Sequence, residues 1–579
     1  MQKIINMLKS RLLNLLKPLG DEYLPIFFLI ILLNLFTYLL IDIKIEHTDS
    51  LILDLLLGIS SIYVSTNIVF ILFRFFGDKI FRILIKFLFL ISVLFLFLQI
   101  FLVFKTNIAY SFVAIDALTQ TTKNEALEFA ITHYDCRILL SYLLIILFCI
   151  IFLRIRFIGK YFIYEKLSLF SALIFSINLV YASFTTFIAY QKVMLELNKV
   201  PLFNLVYTTY QYKKLNLQDI REINALQKQI FDLHTHKTAR NKIKNVVFII
   251  GESLQRDFMQ LYGYDKKNNP NLKILKDRGN LVAFNDTISP WPSTAQSLKV
   301  VLSFGNYENG QSRKWYENLT IVDLAKLSNY FTVWISNQEG FEDVKPVNII
   351  AKRADYKAFV ARIPTMSYID YYYDGKVLPM IEDIKNSRSS DMFYFIHLLG
   401  NHQDYSRRYP SEFTKFDKKD IVNSKLDDKN RQYVGEYLNS ILYNDYIINE
   451  IYKIFQNDNA LIIYLSDHGE DLWQTNLNSY GGHGYICRFT AEIPLIFIAT
   501  DKFRLENAEI WRKIVLAKDK PFMSDDLIHS VVEILDMESL SEFDATRSVI
   551  NENFNSRRKR MIENIDYDEK LKDQSDFSR

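Results

Sequence analysis

The run KNVVFIIGES (Lys244–Ser253) sets five consecutive apolar residues, Val246 to Ile250, directly before a Gly-Glu-Ser turn. A strand apolar on both alternating faces must be covered on both faces, as in a parallel sheet between helical layers. Downstream, the same kind of run recurs in YFTVWISNQ (330–338), MFYFIHLLGNH (392–402), LIIYLSDHGED (461–471) and EIPLIFIAT (492–500). Each is rich in β-branched or aromatic residues and is bounded by polar turns. Helical patterns lie among and after them, at 437–456 (YLNSILYNDYIINEIYKIFQ) and 523–537 (MSDDLIHSVVEILDM). Strands alternating with helices predict an α/β domain whose mostly parallel sheet is covered by helices on both faces. The expected bounds are 244–555, with a charged tail at 556–579 whose Arg557-Arg558-Lys559-Arg560 run reads as solvated surface.

Upstream the composition changes. Five apolar stretches run at 23–42, 51–73, 83–104, 138–153 and 167–189. Most approach or exceed the ~20 residues a helix needs to cross a bilayer. The first begins too far in, and runs too long, for a cleaved signal peptide. Lys3, Lys9, Arg11 and Lys17, then Arg74, Lys79 and Arg82, then Arg154, Arg156, Lys160 and Lys166 mark alternate connections. By the positive-inside rule the N-terminus is cytoplasmic, and five spans put everything after residue 190 outside. The expectation is a five-helix transmembrane bundle over 1–190 and a juxtamembrane linker over 191–243. In the linker, VPLFNLVYTTYQYKKL (200–215) reads equally as an interfacial helix, with Lys213 and Lys214 near headgroups, or as a plain linker helix.

Whole-chain averages conceal this division. The 579 residues are 50% hydrophobic and 15% aromatic, and the mean hydropathy is +0.04. That is too apolar for disorder, and 3 Cys are too few for a disulfide scaffold. A net charge of +3 offers no basis for nucleic acid binding, and no nucleic acid is expected as a partner. The outer domain holds one cysteine, Cys487, so it closes no internal disulfide.

In open α/β sheets, sites gather at the carboxyl ends of the strands. The polar residues there are Glu252, Asn401-His402 and Asp467-His468, with His483 in the following SYGGHGY segment. Thr294 follows the SPWPS turn at the start of a helical segment, TAQSLKVVLSF. Glu, Asp and His from separate strand ends make an oxygen/nitrogen donor set that suits zinc or manganese. A hydroxyl at a helix N-terminus sits in a positive field that favours phosphate and alkoxide. Taken singly, each residue has a plainer role: Glu252 in a solvated turn, Thr294 as a helix N-cap, Asp467-His468 as a structural pair, His402 and His483 as ordinary histidines. His133, His234, His236 and His529 have no supporting context.

Together the pieces resemble the membrane-bound phosphoethanolamine transferases of Gram-negative inner membranes, within the alkaline phosphatase/sulfatase superfamily. VVFIIGESLQRDFMQLYGY, PSTAQSLKVVLSF, FTVWISNQ, HLLGNHQDYSRRYPSEF, YLNSILYNDYIINEI, SDHGE and HGY follow in the family's order. The resemblance implies that Glu252, Thr294, Asp467 and His468 bind a catalytic zinc (manganese being possible), that Thr294 is the nucleophile, and that His402 and His483 contact the transferred phosphate or shuttle protons. It also implies that DALTQTTKNEALEF (116–129) reaches the lipid donor through Thr121 and Glu125, which share a helix face; an amphipathic structural helix is the alternative there. Ala117 stands where the family has Asn, and Glu339 and Glu342 stand where lipid A-modifying members have Ser and Lys.

The implied reaction moves phosphoethanolamine from phosphatidylethanolamine to an envelope acceptor, lipid A or a core sugar of lipopolysaccharide or another glycan, through a phosphoethanolamine-threonine intermediate. The implied setting is a monomer in the inner membrane with a periplasmic catalytic domain. Two other readings stay open from the residues: a phosphoglycerol transferase of the lipoteichoic-acid-synthase or glucan-modifying type, and a non-catalytic glycolipid-binding membrane protein.

Overall fold

The computed structural model describes residues 23–42, 51–106, 110–111, 114–115, 118–119, 136–154, 200–214, 243–308, 314–338, 346–360, 373–423, 425–475 and 481–576. The chain divides into two compact units, Met1–Asp219 and Ile220–Arg579.

The first unit is helical. Apolar helices span Leu24–Asp42, Leu51–Arg74, Asp78–Thr106 and Cys136–Leu153. Leu24, Phe27 and Ile30 pack against Tyr63, Phe70, Phe81 and Ile85 to join the first three. Leu29 and Leu33 meet Leu96, Ile100, Ile138 and Cys149 to bring in the fourth. Apolar residues also face outward: Ile83, Phe87, Leu90 and Leu94 lie along one side of the third helix, and Leu140, Leu143, Leu144 and Leu147 on the fourth. Such stripes lose nothing by facing lipid and are unfavourable in water. Two helices, Asp78–Lys105 and Cys136–Leu153, are long and apolar enough to cross a membrane; Leu24–Leu40 and Gly58–Arg74 are shorter apolar helices. Of the five spans expected, the fifth (167–189) lies outside the described residues, as do Thr121 and Glu125. Residues 201–214 form a helix. It is tied to the segment that follows the Asp78–Thr106 helix, through Tyr110–Thr209 and Thr119–Tyr212 hydroxyl pairs at 2.7 and 2.6 Å.

The second unit is built on a seven-stranded sheet in the order β2-β8-β7-β1-β6-β4-β5. Its strands are β1 (Asn245–Gly251), β2 (Leu281–Ala283), β4 (Phe331–Ser336), β5 (Tyr356–Phe359), β6 (Met392–His397), β7 (Ala460–Ser466) and β8 (Leu495–Ala499). A separate pair joins β3 (Thr287–Ile288) to β9 (Phe522–Met523). The core pairs are parallel, with Gly251 beside Ser466 and Ile250 beside His397. β8 runs antiparallel to both its neighbours. β1 shows why the strands are apolar throughout. Val246, Phe248 and Ile250 enter one core with the helices Ala508–Ala517 and Leu527–Ile534. Val247 and Ile249 enter the other, beneath the long helix Asp428–Phe455.

The C-terminal segment departs from its expected character. Arg558 and Arg560 are not solvated. Arg558 pairs with Asp525, Asp526 and Glu308 at 2.7–2.8 Å, and Arg560 pairs with Asp286 at 2.6 Å and with Asp568. Tyr567 donates to Glu492 at 2.5 Å. Residues 556–576 therefore pack as part of the domain. Arg557 and Lys559 do remain exposed.

Candidate active site

The parallel strands end together, so the residues that follow them converge. Glu252 leaves β1, Gln338 follows β4, His402 follows β6, and Asp467-His468 leave β7. Two backbone features fit these ends together. Ser253 adopts a left-handed φ of 55°, uncommon outside glycine. There its N–H donates to Asp467 Oδ1 at 3.0 Å, and its hydroxyl donates to Glu252 Oε1 at 2.8 Å. Gly400, at φ +52°, lies so close to Glu252 that a Cβ would sit 3.0 Å from its backbone nitrogen. Asp374 holds this turn by accepting from the Leu399 and Gly400 N–H groups and from the Asn337 amide.

Thr294 is the first residue of the helix Thr294–Val301, and Ser293 occupies the cap position. The threonine side chain is thus free of capping duty. Its hydroxyl lies 3.1 Å from Glu252 Oε2 and 3.4 Å from His468 Nε2. Ser289 and Ser297 both donate to the Asp467 carbonyl, at 2.6 and 2.7 Å, which pins the Thr294–Val301 helix to the end of β7. Gln338 donates its amide to Glu252 Oε2 at 3.2 Å.

Glu252, Asp467 and His468 are fully buried, and one donor atom from each lies within 4.8 Å of the others. Asp467 Oδ2 is buried with no hydrogen-bond partner. Burial pushes the Asp467 carboxyl up to about 7, and the nearby Glu252 carboxylate adds to the rise. Burial also works against a charge on His468, but Asp467 and Glu252 outweigh it and hold the imidazole up at about 10. Burial likewise opposes the Glu252 charge, yet the His468 hydrogen bond and the His468, His402 and His483 charges hold it well below the usual carboxylate range. Two buried carboxylates share a single imidazolium, 3.4 Å from one oxygen of each, and Asp467 Oδ2 accepts no hydrogen bond. That is the electrostatic signature of a cation site, and the oxygen/nitrogen donors fit zinc or manganese.

The remaining histidines gather at the same edge. The His483 ring lies 4.3 Å from His468 and 6.4 Å from His402, centroid to centroid. His529 is packed instead against Phe304 and Phe543, where it accepts from the Asp544 N–H. Six of the eight expected site residues are thus brought together, and Thr121 and Glu125 lie outside the described residues. Gln338, Ser253, Asp374 and Glu470 were missed. Ser253, Gln338 and Glu470 each lie just beyond a strand within the quoted runs, and a polar side chain at a strand's carboxyl end is their only signal.

Gly469, between His468 and Glu470, is held by its N–H to the Thr490 carbonyl at 2.9 Å. A Cβ there would lie 2.3 Å from the Phe489 carbonyl oxygen and 3.0 Å from that of Glu492, both backbone. Gly469→Ala is expected to cost about 1–3 kcal/mol of stability by overpacking. Thermal unfolding reports this, and an unchanged midpoint would show that the backbone yields.

The chain resembles known proteins over this domain and, in one case, over most of its length. It is 29% identical over 321 residues to the phosphoethanolamine transferase EptC of Escherichia coli K12, covering 54% of each chain, so it spans about half the length of this curated relative. The crystal structure of the C-terminal periplasmic domain of E. coli EptC, a complex with Zn, matches at 28% identity and a TM-score of 0.54, covering 59% of this chain and 97% of that one. The integral membrane lipooligosaccharide phosphoethanolamine transferase A (EptA) of Neisseria meningitidis matches in fold at a TM-score of 0.59 and 17% identity, over 91% of this chain and 97% of that one. The sulfatase family model matches residues 244–537, just over half of the chain and every site residue described above, and the chain belongs to that family.

Proposed function

We propose that this protein is a membrane-held phosphoethanolamine transferase that takes its donor group from phosphatidylethanolamine. The observation that carries this reading is the Thr294 hydroxyl, uncapped at a helix N-terminus and 3.1 Å from a Glu252 carboxylate beside the buried Asp467-His468 pair. Glu252, Thr294, Asp467 and His468 are the residues that would hold zinc, the metal present in the EptC domain. When bound, zinc supplies positive charge that lowers the hydroxyl pKa and offsets charge on the phosphoryl oxygens.

The chain's own residues do the rest. Glu252 accepts the hydrogen bond of Thr294 and aims its oxygen. The first N–H groups of the Thr294–Val301 helix favour negative charge beside it. Attack of Thr294 on phosphorus releases diacylglycerol and leaves phosphoethanolamine on the threonine. An acceptor hydroxyl, on lipid A or a core sugar of lipopolysaccharide, then attacks that ester and restores Thr294. His402 and His483 move protons to the leaving oxygens. Thr121 and Glu125 contact the donor. A lipid donor requires the site to be held at the bilayer, in this reading at the periplasmic face of an inner membrane, which the N-terminal apolar helices provide.

Incubating the purified protein with phosphatidylethanolamine and, separately, phosphatidylglycerol tests the reading by mass spectrometry. Phosphoethanolamine on the Thr294 peptide is expected. Phosphoglycerol there would identify the other transferase class, and an unmodified peptide with both lipids would favour a binding protein.

A further inference from the structure

Glu470 follows the proposed metal-holding pair by two residues, yet both its oxygens are already committed elsewhere. Oε1 accepts from the Tyr405 hydroxyl at 2.5 Å, and Oε2 accepts from His483 Nδ1 at 2.8 Å. The carboxylate is fully buried, and so is Tyr405, whose ring is lodged between Tyr433 and Tyr437 at 4.6 and 4.8 Å. Burying a carboxylate is costly unless its lone pairs are met, and here two donors meet them.

The backbone is built to keep this contact. Asp471 and Gly482 form an antiparallel bridge, with N···O distances of 2.9 and 2.6 Å, and so place their neighbours Glu470 and His483 side by side. Asp471 reinforces the bridge by accepting from the Tyr485 hydroxyl at 2.7 Å. Gly482, at φ +114°, has the Gln403 amide 2.6 Å from where a Cβ would be, so the turn carrying His402 closes against the same bridge.

We propose that Glu470, backed by Tyr405, is a positioning residue that fixes the tautomer and ring orientation of His483 for proton transfer. A carboxylate only accepts, so the proton on Nδ1 is fixed and Nε2 becomes the nitrogen that exchanges protons. This rests on the phosphoethanolamine-transfer reading. In the first half-reaction the bond between phosphorus and Thr294 Oγ forms, and the bond from phosphorus to the glycerol oxygen breaks. His483 Nε2 gives its proton to that oxygen, the threonine proton passes to solvent, and His483 is reprotonated from solvent. The products are phosphoethanolamine-threonine and diacylglycerol.

The test compares wild type, Glu470→Gln and Tyr405→Phe, as full chains in detergent, with two donors. One is phosphatidylethanolamine, whose glycerol alkoxide needs a proton to leave. The other is 4-nitrophenyl phosphoethanolamine, whose phenolate leaves without one. Glu470→Gln is expected to slow formation of the Thr294 adduct about 10²-fold from the lipid and under about threefold from the aryl ester. Tyr405→Phe is expected to shift the ratio the same way, by about threefold to tenfold, with bound zinc unchanged and the unfolding midpoint lowered by the loss of a donor to the buried carboxylate. Equal loss with both donors, or loss of zinc in Glu470→Gln, overturns the proposal, because it would make Glu470 a structural group or a metal ligand. If Glu470→Gln does not fold, the Tyr405→Phe ratio decides in its place. If wild type forms the adduct from neither donor, the phosphoethanolamine reading itself has failed and this proposal falls with it.

Discussion

Thr294→Ala is expected to remain folded and to lose transfer by at least about 10³-fold, with no phosphoethanolamine retained on the chain. The geometry allows no substitute. Ser289 and Ser297 donate their hydroxyls to the Asp467 carbonyl, and Ser253 donates its own to Glu252 while fully buried. Thr294 is the hydroxyl at this edge, among the described residues, that is partly exposed and points at the carboxylate without serving the backbone. Removing it deletes a hydrogen bond of about 1 kcal/mol, so the unfolding midpoint should barely move. Thr294→Ser restores a hydroxyl on the same helix turn and should recover a measurable rate. Adduct mass spectrometry and turnover on labelled phosphatidylethanolamine check both. Wild-type transfer by Thr294→Ala would place the nucleophile elsewhere.

What could be read from the sequence divides along physical lines. β1, β6 and β7 are apolar at nearly every consecutive position because both faces are buried, and this pattern needs no partner to be recognised. Their ends necessarily carry the polar residues, so Glu252, His402 and Asp467-His468 followed from the strands. Direction did not follow. EIPLIFIAT has the same composition as its neighbours, yet β8 runs antiparallel, because an apolar run carries no mark of its orientation. The short edge strands β2 and β5 were lost for want of length. Arg558 and Arg560 look like any solvated cations until the fold brings Asp525 and Asp286 to them. Ser253 is the clearest case of hidden information. Nothing in Gly-Glu-Ser announces a φ of 55°, yet that conformation turns one residue's N–H to Asp467 and its hydroxyl to Glu252. Such strain is set by the surrounding structure and concentrates at functional sites.

The largest solution effect should come from removing metal, and its sign follows from the proton count. In the metal-free fold Asp467 is raised from 3.8 to about 7, so the folded chain holds a proton that the unfolded chain has released above pH 3.8. His468 is raised from 6.5 to about 10, so it too holds an extra proton in the folded state across that interval. A folded state that binds more protons loses stability as pH rises, by about 1.4 kcal/mol per pH unit for each proton. Metal-free protein should therefore weaken from about pH 4 upward, first through Asp467 and then through His468. Glu252 acts oppositely: its depressed value contributes stability above 4.5 that is lost only on acidification. Asp526, raised to about 7 by burial and by Asp525, adds to the downward slope with or without metal, so the informative quantity is a difference. In the proposed site, bound zinc would replace the protons as the compensating charge. The gap in unfolding midpoint between zinc-loaded and metal-free protein should therefore widen steadily from pH 5 to pH 8, and zinc binding should release protons in calorimetry run in two buffers. Asp467→Asn removes one of the two carboxylates. It should flatten the metal-free curve while weakening zinc binding by about 10²-fold or more. A gap that does not change with pH would mean that the buried carboxylates are neutralised by protein groups alone, and that Glu252, Asp467 and His468 are a structural cluster, not a metal site.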